Sequence, residues 1–149
     1  MTTVALDTNI LAYAEHTNGE AMKLAALGVV GGLDPESTFI PAQALGELFN
    51  VLVKKARRSR ADAEKAVLSW GDTFPIIETT SSVVLAAMTL ARDHQLAFWD
   101  ALILSSASDA GCRLLLSGDL QDGFSWGGVT VTNPFGPSRH PLLEGLLRH

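Results

Sequence analysis

Apolar and polar positions along this chain follow an order that predicts strands alternating with helices. A short apolar run, Val4-Ala5-Leu6, predicts a buried strand, and helical spacing of apolar residues comes next. Further strands are predicted at 37–40, 74–77, 114–116 and 129–131, and helices at 9–16, 20–30, 41–56, 60–70, 81–94 and 99–110. This alternation predicts an α/β fold in which helices cover both faces of a parallel sheet.

Local signals indicate where several helices begin and end. Pro41 is expected at the first position of the third helix, and Ser59 is expected to cap the fourth. Gly71 is predicted to end the fourth helix, and Ser81 or Ser82 is predicted to cap the fifth.

The last part of the chain, 136–149, is interpreted as a tail without an assigned role, after a single domain over residues 1–135. Pro134 precedes this region, Pro137 and Pro141 interrupt it, and four leucines follow. We expect a frayed end here, and a short amphipathic helix that lies on a partner is the alternative.

Composition limits the class of protein. Of the 149 residues, 47% are hydrophobic and 18% are charged, which is ordinary for one globular domain with its own core. The single cysteine, Cys112, has no partner for an internal disulfide and indicates no oxidising compartment. Neither a basic leader pattern nor an apolar run of about 18 residues is found. We therefore expect a cytoplasmic protein with no membrane partner.

The net charge of −5 means that a nucleic acid would meet a local basic patch rather than the whole surface. One such patch follows the third predicted helix. It consists of Lys54, Lys55, Arg57, Arg58 and Arg60. The first four are candidate phosphate-binding residues. The alternative is a solvated helix end, where cations complement the helix dipole.

Two of the predicted strands lead into an aspartate. Asp7 follows the first strand directly, and Asp119 follows the strand at 114–116 after Ser117 and Gly118. Ligands of open α/β sheets bind at the carboxyl ends of strands, so we expect one acidic crevice there. Each residue also has a structural alternative, because Asp7 is a suitable helix cap and Asp119 a suitable turn residue.

Two further acids are predicted to join this crevice. Asp100 lies near the start of the helix at 99–110, whose apolar residues surround its circumference and predict burial. A buried carboxylate needs a partner, a metal or a capping role, and capping of this helix is the alternative. Glu47 lies on the polar face of the third helix with Gln43 and Asn50, where a solvated side chain is the alternative.

Carboxylates contributed by separate elements suit a hard cation such as Mg²⁺, which prefers oxygen ligands. Without a cation the cluster would repel itself, and at least one acid would bind a proton with a raised pKa. We therefore hypothesise that Asp7, Asp100 and Asp119 bind Mg²⁺, with Mn²⁺ as a substitute. Glu47 is expected to join them in the same crevice, and phosphodiester hydrolysis is the reaction expected of such a site.

Four segments around these acids together resemble the PIN-domain nucleases, and most closely the VapC-like ribonuclease toxins of prokaryotic toxin-antitoxin pairs. They are VALDTNIL at 4–11, ALGELFN at 44–50, FWDALI at 98–103 and LSGDLQDG at 116–123. No segment is diagnostic alone, but their order and spacing over residues 3–135 are specific.

The resemblance implies an α/β/α sandwich with a central parallel sheet, and usually a homodimer. It also implies an endoribonuclease that cuts an RNA substrate with Mg²⁺ or Mn²⁺ and is held inactive by a cognate antitoxin. By position, the resemblance implies a catalytic quartet of acids, formed by Asp7, Glu47, Asp100 and Asp119. Asn9 would support Asp7, and Ser117 would help to hold the site. The chain departs from the pattern at Gly118, where many relatives have a glutamate, and Asp122 is the candidate to compensate.

Three other functions are alternatives to this one. Phosphoryl transfer through a phospho-aspartate on Asp7 fits poorly, because Thr8 and Asn9 follow it instead of further acids. A non-catalytic module that binds RNA or a protein partner is the alternative of a different class. Nucleophilic catalysis by Cys112 is poorly supported, because a small buried residue explains it better. The four histidines lack the spacing of metal ligands, such as i, i+4 on one helix; they lie at His16, His94, His140 and His149.

Overall fold

The computed structural model describes residues 2–147, so His149 lies outside the described residues. Its strands are β1 Val4–Leu6, β2 Thr38–Pro41, β3 Ile76–Ile77, β4 Leu114–Leu116, β5 Ser125–Trp126 and β6 Val129–Thr132. Its helices are α1 Thr8–Ala14, α2 Gly19–Gly31, α3 Ala42–Lys54, α4 Arg60–Thr73, α5 Ser81–His94, α6 Phe98–Asp109 and α7 Pro141–Leu146. A short 3₁₀ turn at Pro35–Ser37 precedes β2.

One six-stranded sheet forms the centre of the molecule, with the strand order β3-β2-β1-β4-β6-β5. All neighbouring pairs are parallel except β5 and β6, which are antiparallel. Helices flank this sheet, and the predicted α/β/α sandwich is confirmed. The strands β1 and β4, buried along their whole length, lie side by side at its centre.

The sheet is parallel, as predicted, apart from the edge formed by β5. This strand has two residues and joins β6 through Gly127 and Gly128, which have φ angles of 59° and 83°. Two consecutive residues with positive φ form the tight turn that connects antiparallel strands, and glycine adopts this conformation without strain. The Gly-Gly pair was the available signal, but a two-residue strand has no detectable periodicity.

Helix α6 has the burial that its apolar circumference predicts. All residues from Ala101 to Ala107 are buried, including the two serines at 105 and 106. Both hydroxyls are satisfied by backbone carbonyls, Ser105 by Val83 of α5 and Ser106 by Leu102. This helix therefore packs inside the molecule and presents only its two ends to solvent.

Several helix ends differ from the prediction. Pro41 does not begin α3 but ends β2, because its ψ of 138° is extended. Gly71 does not end α4, which continues to Thr73, and a Cβ at Gly71 would lie 3.3 Å from the Ile76 side chain of β3. The cap of α5 is Thr80 rather than either serine, because its hydroxyl accepts the backbone N–H three residues later.

The tail is folded as far as the structure describes it, so the expectation of a frayed end is wrong. Helix α7 buries Leu143 completely against the core. Beyond the helix, the Leu147 side chain contacts Gly32 at the end of α2. The leucines thus cover the chain's own core. No described helix has the length and apolar character needed to cross a membrane.

Candidate active site

The site lies where β1 and β4 end beside each other. The Asp7 backbone N–H donates to the carbonyl of Leu116, and the N–H of Ser117 donates to the carbonyl of Thr132 in β6 (3.0 and 3.1 Å). These bonds extend the parallel ladder by one residue on each strand. As a result, Asp7 and Ser117 leave the sheet at the same edge.

Asp7 is buried, and every carboxylate oxygen of its side chain accepts hydrogen bonds. Oδ1 accepts from the backbone N–H of Thr8 at 2.7 Å, so Asp7 also caps α1. Oδ2 accepts from the Ser117 hydroxyl at 2.8 Å and from the Asn9 amide at 3.3 Å. Asp7 therefore caps α1, as the structural alternative proposed, and also lies in the acidic crevice.

Burial raises the pKa of Asp7 from 3.8 to about 6. The hydrogen bonds from Ser117 and Thr8 lower this pKa, because they stabilise the carboxylate, but burial outweighs them. The negative charges of Glu47 and Asp100 raise it further. Hydrogen-bond donors thus fix the orientation of the Asp7 carboxylate, while burial and the neighbouring charges destabilise its ionised form.

Glu47 reaches the crevice from α3 and is held by two side chains. The Thr8 hydroxyl donates to Oε2 at 2.7 Å, and the Gln43 amide donates to Oε1 at 2.6 Å from one turn earlier on the helix. Its charge raises the pKa values of both Asp7 and Asp100. Glu47 is therefore a positioned member of the acidic cluster rather than a freely solvated side chain.

Asp100 and Asp119 lie at the open side of the crevice. Asp100 is exposed in the first turn of α6, so the expectation of a buried residue is wrong. The apolar neighbours on its helix face the core, and the crevice opens at the helix start. Ala97 occupies the cap position, which excludes the capping alternative. Partial burial raises the pKa of Asp100, and the charges of Glu47 and Asp119 add to the rise.

Ser117 organises the loop that carries Asp119. Its hydroxyl oxygen accepts the backbone N–H groups of Asp119 and Leu120, both at 3.1 Å, while its proton is donated to Asp7. Asn9 adds a second tie, because its Oδ1 accepts the N–H of Gly118 at 2.8 Å. A Cβ at Gly118 would lie 3.4 Å from that oxygen, which is ordinary van der Waals contact.

Two grooves meet at the acidic cluster and share Glu47 and Asn50. The Lys55 groove has a volume of about 480 Å³ and is lined also by Thr8, Asn9, Tyr13, Thr17, Lys55 and Asp119. The Trp99 groove has a volume of about 620 Å³ and is lined also by Ala42, Gln43, Gly46, Thr79 and Trp99. Of the four acids, Glu47 therefore lines both grooves and Asp119 lines the Lys55 groove.

The basic patch divides into free and engaged side chains. Lys55 lines the groove that bears its name, and Lys54 and Arg57 are exposed nearby. Arg58 is different, because its guanidinium donates to the Glu15 carboxylate at 2.8 Å and to the Glu15 carbonyl at 2.7 Å. Trp70 donates to the same carboxylate, so this group ties α1 to α4.

Asp122 and Cys112 lie apart from the cluster. Asp122 is exposed, and its carboxylate accepts the backbone N–H of Asn133 at 2.9 Å, which is the role of a loop residue. Cys112 is buried, and burial raises the pKa of its thiol to about 11. A thiol of this kind is protonated at neutral pH and is a poor nucleophile.

The acidic cluster has the ligand chemistry that a divalent cation needs, but its side chains are not spaced to hold one. Among residues 2–147, none of the four acids takes part in an ion pair, and their carboxylate oxygens are the hard donors that Mg²⁺ prefers. Within the same described part, no three His, Cys, Asp or Glu side chains lie close enough to hold one metal ion. Asp7 and Glu47 are instead held by neighbouring donors.

Sequence reasoning gave no role to several residues that the fold brings here. Thr8 and Gln43 position Glu47, and their only signals were adjacency to Asp7 and the four-residue spacing on α3. Tyr13 lines the Lys55 groove, where burial and then the charges of Asp119 and Asp7 raise its pKa. No sequence signal indicated Tyr13.

An α/β/α sandwich with carboxylates at the ends of its parallel strands describes the class of PIN domains. The family model of the PIN domain matches residues 4–124. The chain therefore belongs to the PIN-domain family, and the resemblance inferred from its four segments is confirmed. Among curated proteins, a sequence search found no match.

Solved structures of similar fold come from toxin-antitoxin systems. VapC20 of Mycobacterium tuberculosis, a sarcin-ricin loop cleaving toxin, has a TM-score of 0.64 and 19% identity, covering 78% of this chain and 92% of its own. A toxin-antitoxin complex from Klebsiella pneumoniae has a TM-score of 0.68 and 21% identity, covering 89% and 98%. VapBC2 of Rickettsia felis, bound to a DNA fragment from its promoter, has a TM-score of 0.62 and 16% identity, covering 89% and 98%. The TM-scores show that these proteins share the fold of this chain.

Proposed function

We propose that the chain is a metal-dependent endoribonuclease that hydrolyses RNA phosphodiester bonds with Mg²⁺, or with Mn²⁺ as a substitute. The observation that carries this proposal is the acidic cluster. The charges of Glu47 and Asp100 raise the pKa of Asp7, and those of Glu47 and Asp119 raise the pKa of Asp100, so the four acids are close enough to interact. Two of them, Glu47 and Asp119, line the grooves. A PIN-domain fold around these acids supports the same reaction.

Asp7, Asp100 and Asp119 are the proposed metal ligands. When bound, a divalent ion would neutralise charge on the scissile phosphate and lower the pKa of the attacking water. The chain's own residues prepare this site. Ser117 and Asn9 keep both Asp7 and the loop of Asp119 in place through their hydrogen bonds. Asp122, bound to its own loop, is given no part in metal binding.

Glu47 is proposed to orient the attacking water. Its two carboxylate oxygens each accept one strong hydrogen bond, from Thr8 and from Gln43, and each retains a lone pair directed to other donors. These two contacts fix the carboxylate at the junction of both grooves. In this proposal Glu47 therefore positions the attacking water, and the three aspartates bind the metal.

Lys55 is the proposed phosphate contact, because it is the cation that lines the groove beside the acids. Lys54 and Arg57 would extend this contact along the RNA backbone, since both are exposed. Arg58 is proposed to act within the fold, because its guanidinium is occupied by Glu15. The substrate-binding patch is therefore smaller than the run of cations in the sequence.

A toxin role with a cognate antitoxin and a homodimeric state is the second part of the proposal. VapC20 is a toxin, and the Klebsiella protein is found in a toxin-antitoxin complex. We infer that this chain also acts in the cytoplasm and is silenced by a partner protein. Co-expression with the product of an adjacent small reading frame should yield a stable complex that no longer cuts RNA. Sedimentation of the purified chain should show a dimer.

The test of the reaction uses the purified chain with labelled RNAs in Mg²⁺, Mn²⁺ and EDTA. We expect cleavage in the first two conditions and none in EDTA. Asp7→Asn and Asp100→Asn should each abolish cleavage while their circular dichroism spectra stay unchanged. Asp109→Asn is the matched control, because it removes a carboxylate from the exposed far end of α6.

The same experiment separates the nuclease from a non-catalytic module. A module would bind RNA equally well with or without EDTA and leave it intact under every condition. Cleavage by folded Asp7→Asn at the parental rate would also exclude the proposed site.

A further inference from the structure

Trp99 is unusually exposed for its residue type. Its side chain is 59% accessible to solvent, although it stands directly before Asp100 of the acidic cluster. The Phe98 ring contacts it edge to face, with ring centroids 4.9 Å apart, and supports one side of the indole. By contrast, Trp70 is partly buried, stacks on Phe74 and donates to Glu15. An exposed, supported indole at the rim of a groove is a surface prepared for a flat ligand.

The groove beside Trp99 differs in chemistry from the one on the other side of Glu47. Gln43, Asn50 and Thr79 give the Trp99 groove amide and hydroxyl groups, and its lining residues carry no positive charge. Glu47 lines both grooves, so the difference between them is that the Trp99 groove offers a phosphate no cation. A nucleobase, by contrast, hydrogen-bonds to amides and stacks on aromatic rings. The cation Lys55 is found in the other groove, where a phosphate would be attracted.

We propose that Trp99 is a stacking platform for one unpaired base of the RNA substrate, next to the bond that is cut. This inference rests on the proposed function and adds the recognition of single-stranded RNA to it. The sugar-phosphate backbone would follow the Lys55 groove, and the adjoining base would enter the Trp99 groove. A base within a duplex is already stacked on its neighbours, so a duplex would not use this platform.

Binding is measured by fluorescence anisotropy with a labelled 12-nucleotide single-stranded RNA, in Ca²⁺ and in EDTA. Trp99→Ala should weaken binding by about 5- to 150-fold, which corresponds to the loss of one stacked base. Trp99→Phe should retain most of the affinity, because a phenyl ring still stacks. Leu68→Ala is the control, since Leu68 is similarly exposed, at 57%, but lies on α4 outside both grooves.

A second measurement identifies the stacked base. The same RNA is prepared with a single abasic position moved along its length. Wild-type protein should lose affinity at one position relative to the cut site, and Trp99→Ala should not respond to that position. A blunt RNA duplex of equal length should bind wild type and Trp99→Ala equally.

The outcomes distinguish this inference from the proposed function. If wild type cuts RNA but Trp99→Ala binds and cuts as wild type does, the platform is refuted and the nuclease stands. If the RNA stays intact in Mg²⁺ and Mn²⁺ while binding depends on Trp99, the nuclease is refuted and the platform stands. Equal losses for Trp99→Ala and Leu68→Ala, a flat abasic scan, or no RNA binding at all would each overturn the platform.

Discussion

Replacing Asp7 with asparagine should make the folded chain more stable at neutral pH while it removes activity. Asp7 is a buried carboxylate whose pKa is raised to about 6 from 3.8, first by burial and then by Glu47 and Asp100. Its ionised form is therefore disfavoured in the folded chain. Asparagine has nearly the same shape but carries no charge, so the variant avoids this unfavourable ionisation.

The sign and size follow from proton linkage. Between about pH 4 and 6 the folded chain retains a proton on Asp7 that the unfolded chain has lost, so the free energy of unfolding falls as the pH rises through this interval. A raised pKa of about two units corresponds to roughly 3 kcal/mol, as an upper value. Asparagine loses the acceptor for Ser117 and Asn9, which costs about 1 kcal/mol for each bond at every pH. We expect a net gain of roughly 1 kcal/mol at pH 8 and a net loss at pH 4.

The assay is urea unfolding of wild type and Asp7→Asn in EDTA at several pH values from 4 to 8. The quantity of interest is the difference between the two free energies of unfolding as a function of pH. It should change by up to about 3 kcal/mol in favour of the variant as the pH rises, because the lost hydrogen bonds cancel from this comparison. Asp109→Asn provides the baseline for removing one exposed carboxylate.

A difference between wild type and Asp7→Asn that stays constant from pH 4 to 8 would refute the reasoning. It would mean that Asp7 has the same pKa in the folded and the unfolded chain, and that burial is not the dominant influence. A difference that grows toward low pH would contradict the sign. Addition of Mg²⁺ should then stabilise wild type more than the variant, because an ion that binds only the folded chain shifts the equilibrium.

Three further predictions concern the surroundings of the site. Lys55→Ala should raise KM for RNA several-fold with little change in kcat, and the slope of log affinity against log salt should fall in magnitude by about 0.7. An unchanged slope, or the same loss for the control Lys65→Ala at an exposed lysine, would exclude a phosphate contact. Arg58→Ala should destabilise the fold by about 1–2 kcal/mol, because the partly buried Glu15 loses its guanidinium partner and keeps only the hydrogen bond from Trp70. RNA affinity that falls without any loss of stability would assign Arg58 to the substrate instead. Leu143→Ala should lower the free energy of unfolding by about 2–3 kcal/mol, because Leu143 of α7 is buried in the core. An unchanged midpoint of chemical unfolding would show that α7 is not part of the core.

Prediction from sequence was most successful where the pattern is local. Apolar runs and helical spacing located the main strands and six of the helices, because burial on a regular element requires that periodicity. Short elements without a period were predicted less well. Strand β5 has only two residues and was not predicted. Helix α7, which was the alternative to a frayed end, is six residues long and begins at the third of three prolines. Its stability comes from packing on the core, which local preference does not report.

The sequence alone determined the class of the fold and the four acidic residues that are candidates for the chemistry, because these follow from local patterns and from short segments in a fixed order. Only the tertiary structure decided their surroundings. It exposes Asp100, binds Glu47 to Thr8, and occupies Arg58 with Glu15, and none of these contacts has a periodic signal. Residues 39 or 43 positions apart become neighbours only when the sheet and helices pack, so their charges and partners depend on the whole fold.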